Sequence, residues 1–306
     1  MRFLQIAKRV TLLFFVNILV MLTIGIIVGL LFRGPLARYG GMQSLFIICF
    51  IWGMGGAFIS LLISRWMAKH MMGVQVIDPD TQDPKESQLV QTVYNLARSA
   101  GLSEMPEVGI YNSPEINAFA TGPSRSSALV AVSSGLLEQM RQYDIEGVLG
   151  HEITHIANGD MVTMTLIQGV VNAFAMFLAR ILAFALSRND SRDERGGGNF
   201  FMEWILISVF QTVFMFFGMI VINWFSRWRE FRADAGGARL AGRDHMLSAL
   251  KTLKSIHEAG ADIAGKQQPA YQALKISGQT GGFAALFADH PPIEERIARL
   301  ENPTLG

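Results

Sequence analysis

Residues 151–160 read HEITHIANGD, and residues 161–179 continue MVTMTLIQGVVNAFAMFLA. The first stretch predicts a hydrolytic metal site, which needs water. The second predicts a helix that enters a membrane. On a helix, His-Glu-x-x-His places His151 and His155 one turn apart on one face, where two imidazole nitrogens can grip one Zn²⁺. Glu152 then points to the open coordination position, where it can take a proton from water as general base. The motif is flanked by apolar residues in VLGHEITHIAN, so its helix is expected to be buried. Two buried histidines and a buried glutamate without partners are costly, and a metal removes that cost. A surface helix with ordinary polar residues is the competing reading. Asn158-Gly159 reads as a helix stop, after which Asp160 can cap the next helix.

The oily stretch is one of four. Residues 11–32, 44–63 and 204–224 carry no charge at all, and 161–186 carries only Arg180. Each is close to the roughly 20 residues that cross a bilayer as a helix. A buried core helix competes with each reading, and Arg180 gives it most room in the third run. There the guanidinium either snorkels to an interface or serves a polar role within the bundle. The first run is longer than a signal-peptide core and is followed by no A-x-A site, so it reads as a retained anchor. Half of the chain is hydrophobic and only 17% is charged, as a membrane protein requires. A net charge of +1 excludes an electrostatic case for nucleic acid, and no nucleotide is inferred. The lone Cys49 can form no internal disulfide.

Lys and Arg near the span ends set the orientation. Arg2, Lys8 and Arg9 precede the first span, Arg65 and Lys69 follow the second, and Arg227, Arg229 and Arg232 follow the fourth. The opposite side carries Arg33, Arg38, Arg188, Arg192 and Arg195, so the bias is modest but favours both termini inside. The expected organisation is an α-helical integral membrane protein with four transmembrane helices and a cytoplasmic α+β, zincin-like domain. Residues 1–63 hold two spans (11–32 and 44–63), 64–160 the first part of the soluble domain, 161–225 two more spans (161–186 and 204–224) around a short external loop, and 226–306 the second part.

Within the soluble parts, 83–100 reads as an amphipathic helix with Pro84 near its start. Residues 107–111, 116–121 and 127–133 read as a small sheet of hairpins. A short helix and the HEITH helix fill 136–156, helix continues over 227–240, 245–259 is another helix, 261–283 reads as a mobile loop, and 292–301 is a last helix.

Two histidines need a third ligand. In WREFRADAGG, Glu230 and Asp234 are four residues apart and share a helix face. Alone they read as a surface carboxylate pair beside Arg227 and Arg232. Beside HEITH they suit a gluzincin-type site, with Glu230 on zinc and Asp234 accepting the outer N–H of a ligating histidine. The two ligand segments flank spans three and four closely, which places the expected site within about 10 Å of the membrane face.

Taken together, HEITHIANGD, EFRADAGGA, NAFATG, DHPPIEERI and four spans in this order resemble the HtpX family of bacterial membrane zinc metalloproteases. These are gluzincins related to the CAAX prenyl proteases and to mitochondrial quality-control proteases. The resemblance covers nearly the whole length. It implies one Zn²⁺ per chain held by His151, His155 and Glu230, with Glu152 as general base. It also implies ATP-independent endoproteolysis of misfolded or unassembled membrane proteins at the bacterial inner membrane. INAFATG is a candidate edge strand that pairs with extended substrate through Asn117, Ala118 and Phe119, although an ordinary sheet strand explains it equally well. His290, held before Pro291-Pro292, is a candidate oxyanion donor, against a capping or surface role. His70, His245 and His257 have no metal spacing to one another. A prenyl-protein protease, a metal-binding membrane transporter and a silent scaffold remain as alternatives.

Overall fold

The computed structural model describes residues 42–187, 198–267 and 290–302. The expected span at 11–32, both termini, most of the 188–201 loop and most of the 261–283 segment lie outside them. The chain forms two compact units. Of the described residues, the first holds those of 42–58 and 166–221, and the second those of 59–165 and 222–302.

Three long helices supply the described part of the first unit: α1 (Met42–Met71), α5 (Asp160–Ser187) and α6 (Gly198–Leu240). All three are long and apolar enough to cross a membrane. Among the described residues, 17%, 33% and 11% of their most apolar windows is buried. Inside the unit, Cys49 and Met176 are buried against Leu45, Trp52 and Phe177. Phe46 meets Phe177 edge-on at 5.2 Å. The Arg180 guanidinium turns back to donate to the Met176 carbonyl of its own helix at 3.0 Å.

The second unit is built on a four-stranded sheet. Its strands are β1 (Gln75–Val76), β2 (Glu107–Tyr111), β3 (Ala118–Ser124) and β4 (Ser127–Ser133), in the order β1-β2-β4-β3. β3 and β4 form the expected hairpin, but β2 pairs parallel with β4 rather than in a second hairpin. SALVAVS, buried from Ala128 to Ser133, is the central strand between β2 and β3. β1 is two residues long and has no periodicity to read. β3 begins two residues later than expected, because Asn117 is held by Ser133 through both the backbone and the hydroxyl.

Helix α2 (Pro84–Ser99) starts where Asp83 accepts the N–H groups of Lys85 and Glu86. Its apolar face, Leu89, Val90, Val93, Leu96 and Ala97, joins the main core. Helices α3 (Ser134–Gln139) and α4 (Gln142–Asn158) follow the sheet. Ile145, Leu149, Ile153 and Ile156 of α4 pack in that core with Ala128, Val130 and Val132 of β4. Helix α7 (Arg243–Gln267) continues seven residues into the stretch expected as loop. Helix α8 (Ile293–Glu301) docks Ile293 and Leu300 on Met246 and Leu250 of α7.

Candidate metal centre

Helix α4 carries His151, Glu152 and His155, and α6 carries Glu230 and Asp234. They meet because α6 carries two glycines, Gly236 and Gly237, where its backbone approaches α4. A Cβ on Gly236 would lie 2.2 Å from Thr154 Cγ2, and one on Gly237 would lie 2.9 Å from the His151 nitrogen. His151, His155, Glu230 and Asp234 are all buried; Glu230 is 1% exposed.

The Nε2 atoms of His151 and His155 are 3.1 Å apart. Glu230 presents Oε2 at 3.3 Å from the first and Oε1 at 3.4 Å from the second. Nitrogen and oxygen ligands about 2.0–2.1 Å from a tetrahedral ion are separated from one another by about 3.4 Å. The spacing therefore fits a metal, and among the described residues these three form the group that can hold one.

The outer nitrogens fix the tautomers. His155 Nδ1 lies 2.6 Å from Asp160 Oδ2, and His151 Nδ1 lies 2.9 Å from Asp234 Oδ1. A carboxylate only accepts, so each Nδ1 carries a proton and each Nε2 is aimed inward. Two buried Nε2 atoms 3.1 Å apart need a cation between them, either a metal ion or a proton on one of the rings. Asp160 was expected as a helix cap; its carboxylate is instead committed to His155. Gly159 makes this reversal, ending α4 in the left-handed region with φ 70°.

Two arginines complete the cluster. Arg296 of α8 grips Asp234 in a fork, donating Nη2–H to Oδ1 at 2.6 Å and Nε–H to Oδ2 at 2.8 Å. Arg229 Nη2 lies 3.2 Å from Glu230 Oε1. In the metal-free site the carboxylates of Glu230 and Asp234 both act on His151. Burial opposes a charged His151, yet Asp234 and Glu230 outweigh it and raise its pKa to about 9. Burial likewise opposes the Glu230 and Asp234 carboxylates, but His151 and Arg296 hold them below the ordinary carboxylate range.

His290, just before α8, brings Nδ1 within 3.1 Å of Glu230 Oε2, though without an aligned hydrogen bond. Asn117 is exposed at the start of β3, an edge strand of the sheet. Ala118 packs against the main core, while Phe119 packs on Tyr111 at 5.7 Å and belongs to the opposite face of the sheet. The remaining histidines stand apart. His70 stacks on Trp66, and His245 Nδ1 meets the Ala241 carbonyl and Glu146. The His257 side chain lies outside the described residues. Asp160, Arg229 and Arg296 are the partners that sequence reasoning missed. A carboxylate five residues after the second histidine, just past a glycine, is a signal that could have found the first.

The profile of Peptidase family M48 matches residues 83–304. The chain is 51% identical over 300 residues to Protease HtpX homolog of Methylacidiphilum infernorum, covering 96% of this chain and 98% of that protein. It is 50% identical over 304 residues to Protease HtpX homolog of Bacillus subtilis, covering 96% and 99%. It is 46% identical over 299 residues to Protease HtpX of Thioalkalivibrio sulfidiphilus, covering 96% and 98%. Among solved structures, S. mikatae Ste24p superposes with a TM-score of 0.60 at 18% identity, over 97% of this chain and 65% of that longer one. That likeness is one of fold.

Proposed function

This chain belongs to peptidase family M48 and is a membrane metalloprotease, and from that premise we propose what its residues do and on what. One Zn²⁺ is held by His151, His155 and Glu230. Asp160 and Asp234 orient the two imidazoles. The substrates are misfolded or unassembled membrane proteins, cleaved internally at the bacterial inner membrane as part of stress-linked quality control. Residues 11–32 form a fourth span, and both termini and the site face the cytoplasm, as the Lys and Arg flanks suggest.

When bound, the zinc ion polarises the scissile carbonyl and makes water acidic enough to attack near neutral pH. Glu152 takes the proton from that water and passes it to the departing amine. His290 donates to the carbonyl oxygen as charge develops on it. The free edge of β3 receives an extended segment of substrate, with Asn117 at its start. No covalent acyl-enzyme is required.

The single observation that carries this reading is the pair of inward-facing Nε2 atoms 3.1 Å apart beside the Glu230 carboxylate. The test is Glu152→Gln in full-length, detergent-purified protein. Zinc should stay near one per chain while cleavage of an unfolded model protein disappears. Cleavage at the wild-type rate would overturn the assignment of Glu152.

A further inference from the structure

Arg229 touches two of the three residues that can hold the metal. Its Nη2 makes an ion pair with Glu230 Oε1 at 3.2 Å, without an aligned hydrogen bond, and its Nη1 lies 3.4 Å from both ring nitrogens of His155. Equal distances put Nη1 midway between the two nitrogens, beside the Nδ1 already committed to Asp160. The side chain is 20% exposed, its buried Nε–H finds no acceptor, and Nη2 makes a 3.4 Å hydrogen bond to Ser226 Oγ. Arg296 fills its fork with Asp234, a carboxylate that holds no metal itself, and stands 3.8 Å from Glu230 Oε2 and 3.4 Å from His151 Nδ1. Arg229 has no such carboxylate of its own among its described contacts and meets that of the ligand Glu230 at 3.2 Å.

The sign of its effect is opposite to that of Asp160 and Asp234. Those carboxylates make the imidazoles better donors. A guanidinium on Glu230 and His155 draws their electrons away from the metal, and in a buried site it repels a dication directly. It also neutralises Glu230 when no metal is bound, which lowers the gain from binding one.

We propose that Arg229 is a positioning residue that holds Glu230 and His155 together while weakening their grip on the metal, keeping the ion electron-poor. The proposal rests on the reading of His151, His155 and Glu230 as ligands. It is tested by zinc release from the loaded full-length chain to a chromogenic chelator. Arg229→Gln and Arg229→Met should release zinc roughly tenfold more slowly than wild type, whereas loss of an outer partner normally speeds release. Arg229→Lys keeps the charge and should restore release to near the wild-type rate. Arg229→Met keeps the aliphatic stem, so the comparison stands if the Gln variant fails to fold. Release as fast as wild type, or faster, from the neutral variants overturns the proposal, as does a Lys variant as slow as Gln. Unchanged zinc retention in Glu230→Ala would instead remove the ligand set itself, and the proposal with it.

Discussion

The approach of α6 to α4 makes Gly236→Ala the most informative perturbation of the site. The new Cβ would stand 2.2 Å from Thr154 Cγ2 and 2.5 Å from its Oγ1. Carbon atoms in contact sit about 3.5–4.0 Å apart, so the overlap is roughly 1.3–1.8 Å. Thr154 cannot swing clear, because its hydroxyl donates to the Gly150 carbonyl at 2.8 Å and its branched Cβ allows few rotamers. The helices must therefore separate by about 1 Å, while metal–ligand distances tolerate about ±0.2 Å. Overpacking of this kind costs about 1–3 kcal/mol. The chain should still fold, melt earlier and bind zinc at least tenfold more weakly. Thr154→Ala removes both offending atoms and leaves a 2.9 Å contact with Cβ. The double variant should thus recover about 1 kcal/mol or more relative to additivity. The assays are thermal unfolding of the metal-free chain and chelator competition for zinc. Unaltered zinc affinity in Gly236→Ala, or strict additivity with Thr154→Ala, would refute the view that this contact sets the ligand spacing.

Asp160→Asn should lower zinc affinity about 10- to 100-fold by chelator competition, since it no longer holds His155 as a strong donor; undiminished affinity would return Asp160 to a capping role. Arg296→Met leaves the buried Asp234 carboxylate without its fork and should cost about 3–5 kcal/mol of stability, read from denaturant unfolding. Zinc uptake should release close to one proton per ion at neutral pH. His151 is held protonated up to about 9 in the metal-free fold, and the metal takes the deprotonated ring. Apparent affinity should then rise about tenfold per pH unit and level off above 9. The same raised pKa stabilises the metal-free chain fully below about 6.5, and that contribution fades as pH climbs through 9. Calorimetry in buffers of different ionisation enthalpy counts the proton, and a count of zero would contradict the raised pKa.

The parts of this molecule legible in its sequence are those governed by local spacing. Long uncharged runs announce the long apolar helices. The i, i+4 spacing of His151 with His155 and of Glu230 with Asp234 puts each pair on one helix face, and the fold brings the two faces together. Spacing could not say which histidine Asp234 serves, because that depends on the relative rotation of two helices. Arg296 stands 62 residues beyond Asp234, and no periodic rule links them. Asp160 lies within reach of the motif, yet the left-handed turn at Gly159 breaks the helical period that would have placed it. In the sheet, strand content was readable from alternation and β-branching. The parallel pairing of β2 with β4 was not, since alternation within a strand does not say which strand lies beside it.

The centre is drawn from three distant stretches of chain, and His151 and Arg296 are 145 residues apart. On a ribosome adding about 5–20 residues per second, that separation lasts roughly 7–30 s. The HEITH helix is thus made long before Glu230 and longer still before Arg296. No nascent chain that ends short of α8 contains the whole cluster. Order of synthesis alone therefore keeps a half-made protease, held beside its own unfolded segments, from being a complete one.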